Sequence, residues 1–154
     1  MDAKHVNVFI EAALSTLETT AQASAKAFDD PYLKEEPVAK GDITGVISIS
    51  GDYNGSVSIT YSEKLILHVV TTMFGEEMTE INDEIKDAVG ELTNMISGQA
   101  TAKLTELGAS LKAELTDVVL GGQHPLKHMT GYPVIAMSYK TDNGDLTMEF
   151  CFEE

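Results

Sequence analysis

Three side chains near the middle of this 154-residue sequence are of types and at spacings that could do chemistry together: Asp87, Glu91 and Asn94. On a helix turning about 100° per residue, they fall within roughly 60° of one another. A carboxylate there attracts a cation. The uncharged amide of Asn94 can hold a water without adding further negative charge. An ordinary solvated helix presents the same kind of face, so spacing alone leaves both readings open.

The element that must position them is a helix from about Asp83 to Leu107, with Asn82 as its cap and Gly108 as its stop. Ile81, Ile85, Val89, Leu92, Ile96 and Ala100 occupy an arc of roughly 100°, the stripe that seeks a core. The three polar residues lie opposite, beside Gly98, Thr101 and Ala102, which are all small. Glycine inside a helix costs about 1 kcal/mol relative to alanine. Gly98 is therefore expected to serve something other than helix stability, such as the close approach of another protein.

Around that helix the pattern is mixed. Val6, Ile10, Ala13, Leu17, Ala21 and Phe28 predict a first long helix from about Val6 to Phe28, ended by Asp29-Asp30-Pro31. Leu33 to Lys40 is ambiguous and could hold a short edge strand. Alternation over Ile43–Ile49 and Val57–Tyr61, with Asp52-Tyr53-Asn54-Gly55 between, predicts a hairpin. Ser62 caps a shorter helix ending at Gly75, with Leu65, Ile66, Val69, Val70 and Met73 as its apolar face. Leu111, Ala113, Leu115 and Val119 read as one face of a strand. A loop from Gly121 to Gly131 leads to a last hairpin, Val134–Lys140 and Leu146–Phe152, in which Leu146, Met148, Phe150 and Phe152 share a face. The two halves repeat one order, long helix, strand, hairpin, which predicts a pseudo-two-fold internal duplication on element order alone. The expected fold class is α+β: one layered domain over residues 1–154, with an antiparallel-rich sheet of about five to six strands covered by two long helices and one shorter helix.

Composition removes several function classes. The formal charge of −15 repels phosphate backbones and anionic headgroups, so neither nucleic acid nor a membrane surface is an expected partner. No apolar run approaches the roughly 18 residues of a spanning helix, and Met1–His5 does not open a secretion signal. The single cysteine, Cys151, suits a reducing cytoplasm and reads as a small strand residue. His124 and His128 have the spacing of helical metal ligands, but the start of their segment is not helical and no acidic or cysteine ligand is near. They read as loop or surface histidines, and His68 as a partly buried structural residue. There is no serine elbow and no phosphate-binding glycine loop.

The run Asp87-Ala-Val-Gly-Glu91-Leu-Thr-Asn94-Met-Ile-Ser-Gly98 resembles the signature of the CheC/CheX/FliY family of chemotaxis phosphatases: an acidic or serine residue, three residues, glutamate, two residues, asparagine. The opening Val6–Ala12 is similar to the family's first helix, and the Gly45–Gly55 segment to its first strand pair. The resemblance implies a cytoplasmic phosphatase that hydrolyses the aspartyl phosphate of a phosphorylated CheY-like response regulator. It implies that Glu91 pairs with a lysine of the partner and that the Asn94 amide orients the attacking water; Asp87 reads either as a partner contact or as a solvated helix residue, and Gly98, from its cost to the helix, as a point of partner approach. It further implies a homodimer, for which exposed hairpin edges would offer a joint. No cofactor is expected on this chain itself; Mg²⁺ would come with the regulator. The first helix offers Glu11 and Glu18, neither followed by asparagine three residues on, so the one-site CheX pattern fits better than the two-site CheC pattern. Acyl phosphates are already activated, so placing water in line is the chief requirement. The alternative is a non-catalytic interaction or flagellar-switch module on the same fold.

Overall fold

The structure, a computed structural model, describes residues 3–27, 30–34, 38–122, 124, 125, 128 and 132–153. Helix α1 runs Ala3–Ala21 and buries Phe9, Ala13, Leu17 and Ala21. It stops well before the expected end near Phe28, which with Asp29 lies outside the described residues. Gln22 takes a left-handed conformation (φ 55°), and Ala23 N–H donates to Leu17 O at 3.3 Å. This reverse turn satisfies the last carbonyls and closes the helix before the proline is reached. The following residues turn extended instead: β1 (Lys26–Ala27) and β2 (Tyr32–Leu33) both pair with β6 (Val134–Thr141).

Among the described residues the sheet has seven strands, one more than the upper expectation, because the ambiguous N-terminal stretch yields two strands of two residues each. The long strands are β3 (Ile43–Gly51), β4 (Gly55–Tyr61), β5 (Leu111–Leu120), β6 and β7 (Gly144–Phe152). All pairings are antiparallel, in the order β1-β6-β7-β4-β3-β5, with β2 beside β1 on β6. Exchanging β1/β2, β3, β4 for β5, β6, β7 leaves this order unchanged. That symmetry concerns element order; the swapped strands differ greatly in length. The outer strand of each hairpin is covered, β3 by β5 and β6 by β1 and β2, so the hairpin edges expected to be exposed are not. The long free edge belongs to β5.

Helices α1, α2 (Glu63–Phe74) and α3 (Asp83–Glu106) form one core with the sheet. Ile43, Ile47, Val57, Ile59, Leu146 and Met148 meet Leu65, Val69, Ile85, Leu92 and Ile96, all fully buried. The cap predictions hold: the Ser62 side chain accepts from Leu65 N–H and Asn82 from Ile85 N–H, and Gly75 is left-handed at φ 71°. Gly45 lets α3 lie close on β3, because a Cβ there would collide with Thr93 Oγ1.

One strand face differs from its expected alternation. Ile47 pairs with Leu115 but Val46 pairs with Asp117, so Thr116 is an extra residue in β5. The bulge reverses parity: beyond it Val118 packs on the core, and Val119 stands on the opposite face from Leu111, Ala113 and Leu115.

Part of the sheet face away from the helices, around β4 and β7, is also buried, which simple alternation does not predict. Thr44, Thr60, Thr147, Glu149 and Cys151 are all inaccessible there. Val38 bridges to Pro125, and Ala39 N–H donates to His124 O at 2.9 Å, so two loop segments meet over this face. The histidines expected at the surface are therefore buried. His124 Nδ1–H donates to Gly121 O at 2.5 Å, leaving Nε2 to accept from Thr44 Oγ1 at 2.6 Å. His128 contacts Ser56 Oγ at 2.6 Å and Glu149 Oε1 at 3.1 Å, while Lys34 Nζ lies 2.6 Å from Glu149 Oε2. His68, half-buried, donates to Ala21 O.

Candidate functional site

Helix α3 has sharply divided sides. Ile85, Val89, Leu92, Ile96 and Ala100 are fully buried, and Ile81, just before the helix, is half-buried. Asp83 and Glu84 sit in the first turn, where the helix dipole favours negative charge. Asp87, Glu91 and Asn94 are exposed, as the spacing predicts.

These three side chains meet in one cleft of about 530 Å³, lined also by Lys86, Gly90 and residues 115–118 of β5. The β5 bulge forms the second wall. Thr116 Oγ1 donates to Val46 O at 3.2 Å, and Asp117 Oδ1 accepts from Val118 N–H at 2.8 Å, so both side chains are tied to the distorted strand. The walls touch at Gly90, where a Cβ would make a van der Waals contact 3.4 Å from Leu115 Cδ2. Asp87 and Glu91 also border a second depression of about 270 Å³, completed by Phe74, Glu84 and Ala88. They form the ridge between the two.

Gly98 lies outside both depressions, one turn beyond Asn94. Nothing stands within 4 Å of where its Cβ would be, so packing inside this chain does not require glycine there. Glu11 of α1 lines a separate groove with Val8, Ala12, Ser15, Gln99 and Lys103. That groove offers a carboxylate but no asparagine.

Lys86, Thr116, Asp117 and Phe74 were not legible as site residues. Thr116 looks like an ordinary solvent-side residue of a strand, whereas Asp117 interrupts the row of Leu111, Ala113, Leu115 and Val119, and the pairing register shows that interruption to be a bulge. Phe74 ends the shorter helix, and nothing in the sequence links it to the helix that begins at Asp83.

The arrangement is chemically simple: an exposed carboxylate and an exposed amide at the mouth of a cleft open to solvent. Such a site does not enclose a small molecule, whereas ligand pockets commonly bury most of their ligand. It fits a reactive group delivered by another protein's surface. Among the described residues, no helix is long and apolar enough to cross a membrane.

Known proteins resemble this chain over most of its length. The family model described as chemotaxis phosphatase CheX matches residues 43–140, a stretch containing α2, α3 and the whole cleft. The chain is 29% identical over 128 residues to the CheY-P phosphatase CheX of Thermotoga maritima, covering 82% of each protein. Among solved structures, the chemotaxis protein CheX of Desulfovibrio desulfuricans is 41% identical with a TM-score of 0.86, over 97% of this chain and 99% of that one. Chemotaxis protein CheX of Vibrio vulnificus is 35% identical with a TM-score of 0.88, over 98% and 100%. The match spans the helix bearing Glu91 and Asn94 as well as the strands that wall their cleft, and the chain belongs to the CheX family of chemotaxis phosphatases.

Proposed function

We propose that this protein hydrolyses the aspartyl phosphate of a phosphorylated CheY-type response regulator and so ends or adapts a chemotaxis signal. The observation that carries this reading is the joint exposure of Glu91 and Asn94 in one open cleft, on the helix side opposite the core. The name of the Thermotoga maritima relative, a CheY-P phosphatase, supports the choice of substrate.

In the reaction, a water oxygen bonds to phosphorus as the bond from phosphorus to the aspartyl carboxylate oxygen breaks. The electron pair leaves with the carboxylate, and inorganic phosphate is released. Little covalent work falls to the enzyme, so positioning dominates. Asn94 holds the water through its amide. Glu91 would repel the phosphate unless a cation of the partner neutralised it, so its role is to pair with a basic side chain of the regulator. Asp87, on the same ridge, adds a contact to the partner, and Gly98 leaves room for its approach. Mg²⁺ enters with the regulator; calorimetry on this chain alone should give no binding tighter than millimolar.

The test is phosphate release from a phosphorylated receiver domain. The protein should accelerate it well above the spontaneous rate, and binding without acceleration would instead favour an interaction or switch module. We further propose a homodimer acting in the cytoplasm. The free edge of β5 provides a pairing surface, since an unpaired strand recruits another through its open backbone groups. Light scattering should report about twice the 16.6 kDa chain mass; a monomer at micromolar concentration would sink the dimer.

A further inference from the structure

Phe74 is the last residue of α2 and stands on the i, i+4 row of Ile66 and Val70, both fully buried, yet 45% of it is exposed. Its position is nevertheless fixed. The helix ends there on left-handed Gly75, whose N–H donates to Thr71 O at 3.0 Å. The chain then turns back, and Met78 N–H donates to Thr71 Oγ1 at 2.9 Å. Met78 and Met73 are half-buried against the core, so both sides of the turn are anchored while the aromatic ring between them is not. An aromatic side chain held this way offers large contact area at low entropic cost, which is why such residues dominate recognition surfaces. Its location gives the exposure meaning. Phe74 walls the 270 Å³ depression whose other residues are Glu84, Asp87, Ala88 and Glu91, directly across the Asp87–Glu91 ridge from Asn94.

We propose that Phe74 is a specificity-determining contact for the regulator, receiving the aliphatic part of one of its side chains while the phosphate lies beyond the ridge at Asn94. This rests on the functional reading above. The ring does not reach the amide's cleft, so it acts on recognition and not on the chemical step. The acidic rim, Glu84, Asp87 and Glu91, favours a long side chain with a basic head, such as lysine or arginine, whose methylenes cover the ring.

The experiment measures steady-state hydrolysis of a phosphorylated receiver domain, and binding of the same domain loaded with beryllofluoride, for wild type, Phe74→Ala, Phe74→Leu and Asn94→Ala. Phe74→Ala should raise KM and the Kd about tenfold with kcat unchanged, and Phe74→Leu should recover most of the affinity. Asn94→Ala should show the reverse pattern, near-normal binding with kcat lost. Matching melting curves establish that each variant is folded, as expected at so exposed a position. An unchanged KM in both Phe74 variants overturns the inference, as does a loss confined to kcat. A wild type that neither binds nor hydrolyses the domain overturns the functional reading, and this inference with it; normal wild-type turnover with an indifferent Phe74 overturns this inference alone.

Discussion

Asn94 carries the most weight at the scale of single residues. Its amide is exposed and lies away from the buried row of α3, so its removal has no packing consequence. Exposed substitutions of this kind change stability by about 0.5 kcal/mol or less. Loss of water positioning, by contrast, removes on the order of 10²-fold in rate, about 3 kcal/mol of barrier. Asn94→Ala should therefore fold and bind the phosphorylated regulator but release phosphate at close to the spontaneous rate, as stopped-time phosphate assays would register. Glu91→Lys should fail differently. It places a cation where a partner cation is expected, so binding should be lost before chemistry is reached, a repulsion visible by titration calorimetry. Wild-type activity in Glu91→Lys would remove the proposed ion pair.

At the scale of elements, the site is a helix face set against a distorted strand edge. The face belongs to α3, whose cap and buried row fix its rotation about its own axis. The edge belongs to β5, where the extra Thr116 interrupts the ladder within residues 115–118, which wall the cleft. Gly98 belongs to this scale because its purpose can be separated from the helix that contains it. With open space at its Cβ position, Gly98→Ala should stabilise α3 by about 0.5–1 kcal/mol and raise the melting temperature by about 3 °C. Gly98→Leu should fold equally well yet bind the regulator more weakly, since the added bulk projects from the side proposed to face the partner. Normal binding by Gly98→Leu would show that nothing approaches there.

For the whole molecule, the distinctive feature is that the middle of the sheet, around β4 and β7, is buried on both sides, with helices on one and a polar network on the other. Glu149 is fully inaccessible and held by Lys34 and His128. A buried pair adds little net stability when intact, and leaving one charge without a partner costs about 3–5 kcal/mol; loss of Lys34 costs part of that, because His128 still contacts Glu149. Lys34→Met should lower the denaturation midpoint accordingly. Lys34→Met combined with Glu149→Met should recover most of the loss, because it removes the stranded charge. Neither change touches the cleft, so phosphate release at temperatures where the variants are folded should match wild type. An unaltered denaturation midpoint for Lys34→Met would show that the network carries no such stake.

What the sequence determined by itself is whatever depends on local period and capping. The rotation of α3 followed from apolar residues at helical spacing, and with it the exposure of Asp87, Glu91 and Asn94; the caps at Ser62, Gly75 and Asn82 followed from side-chain hydrogen bonding within a few residues. Tertiary structure decided what depends on partners distant in the chain. The end of α1 was set by a left-handed turn at Gln22 and by the pull of Lys26–Ala27 into pairing with β6, and no local signal marks either. The facing of Val119 was set by the register of β5 on β3, because one extra residue reverses every later side chain. The burial of His124, His128 and Glu149 was set by loop segments folding over the far face, since a charged or ring nitrogen group enters the interior only where its hydrogen-bonding partners already wait. The two residues proposed as the catalytic pair, Glu91 and Asn94, were thus legible from one helix, whereas the walls around them, Phe74 on one side and Thr116 with Asp117 on the other, came into view only when three separate elements were packed together.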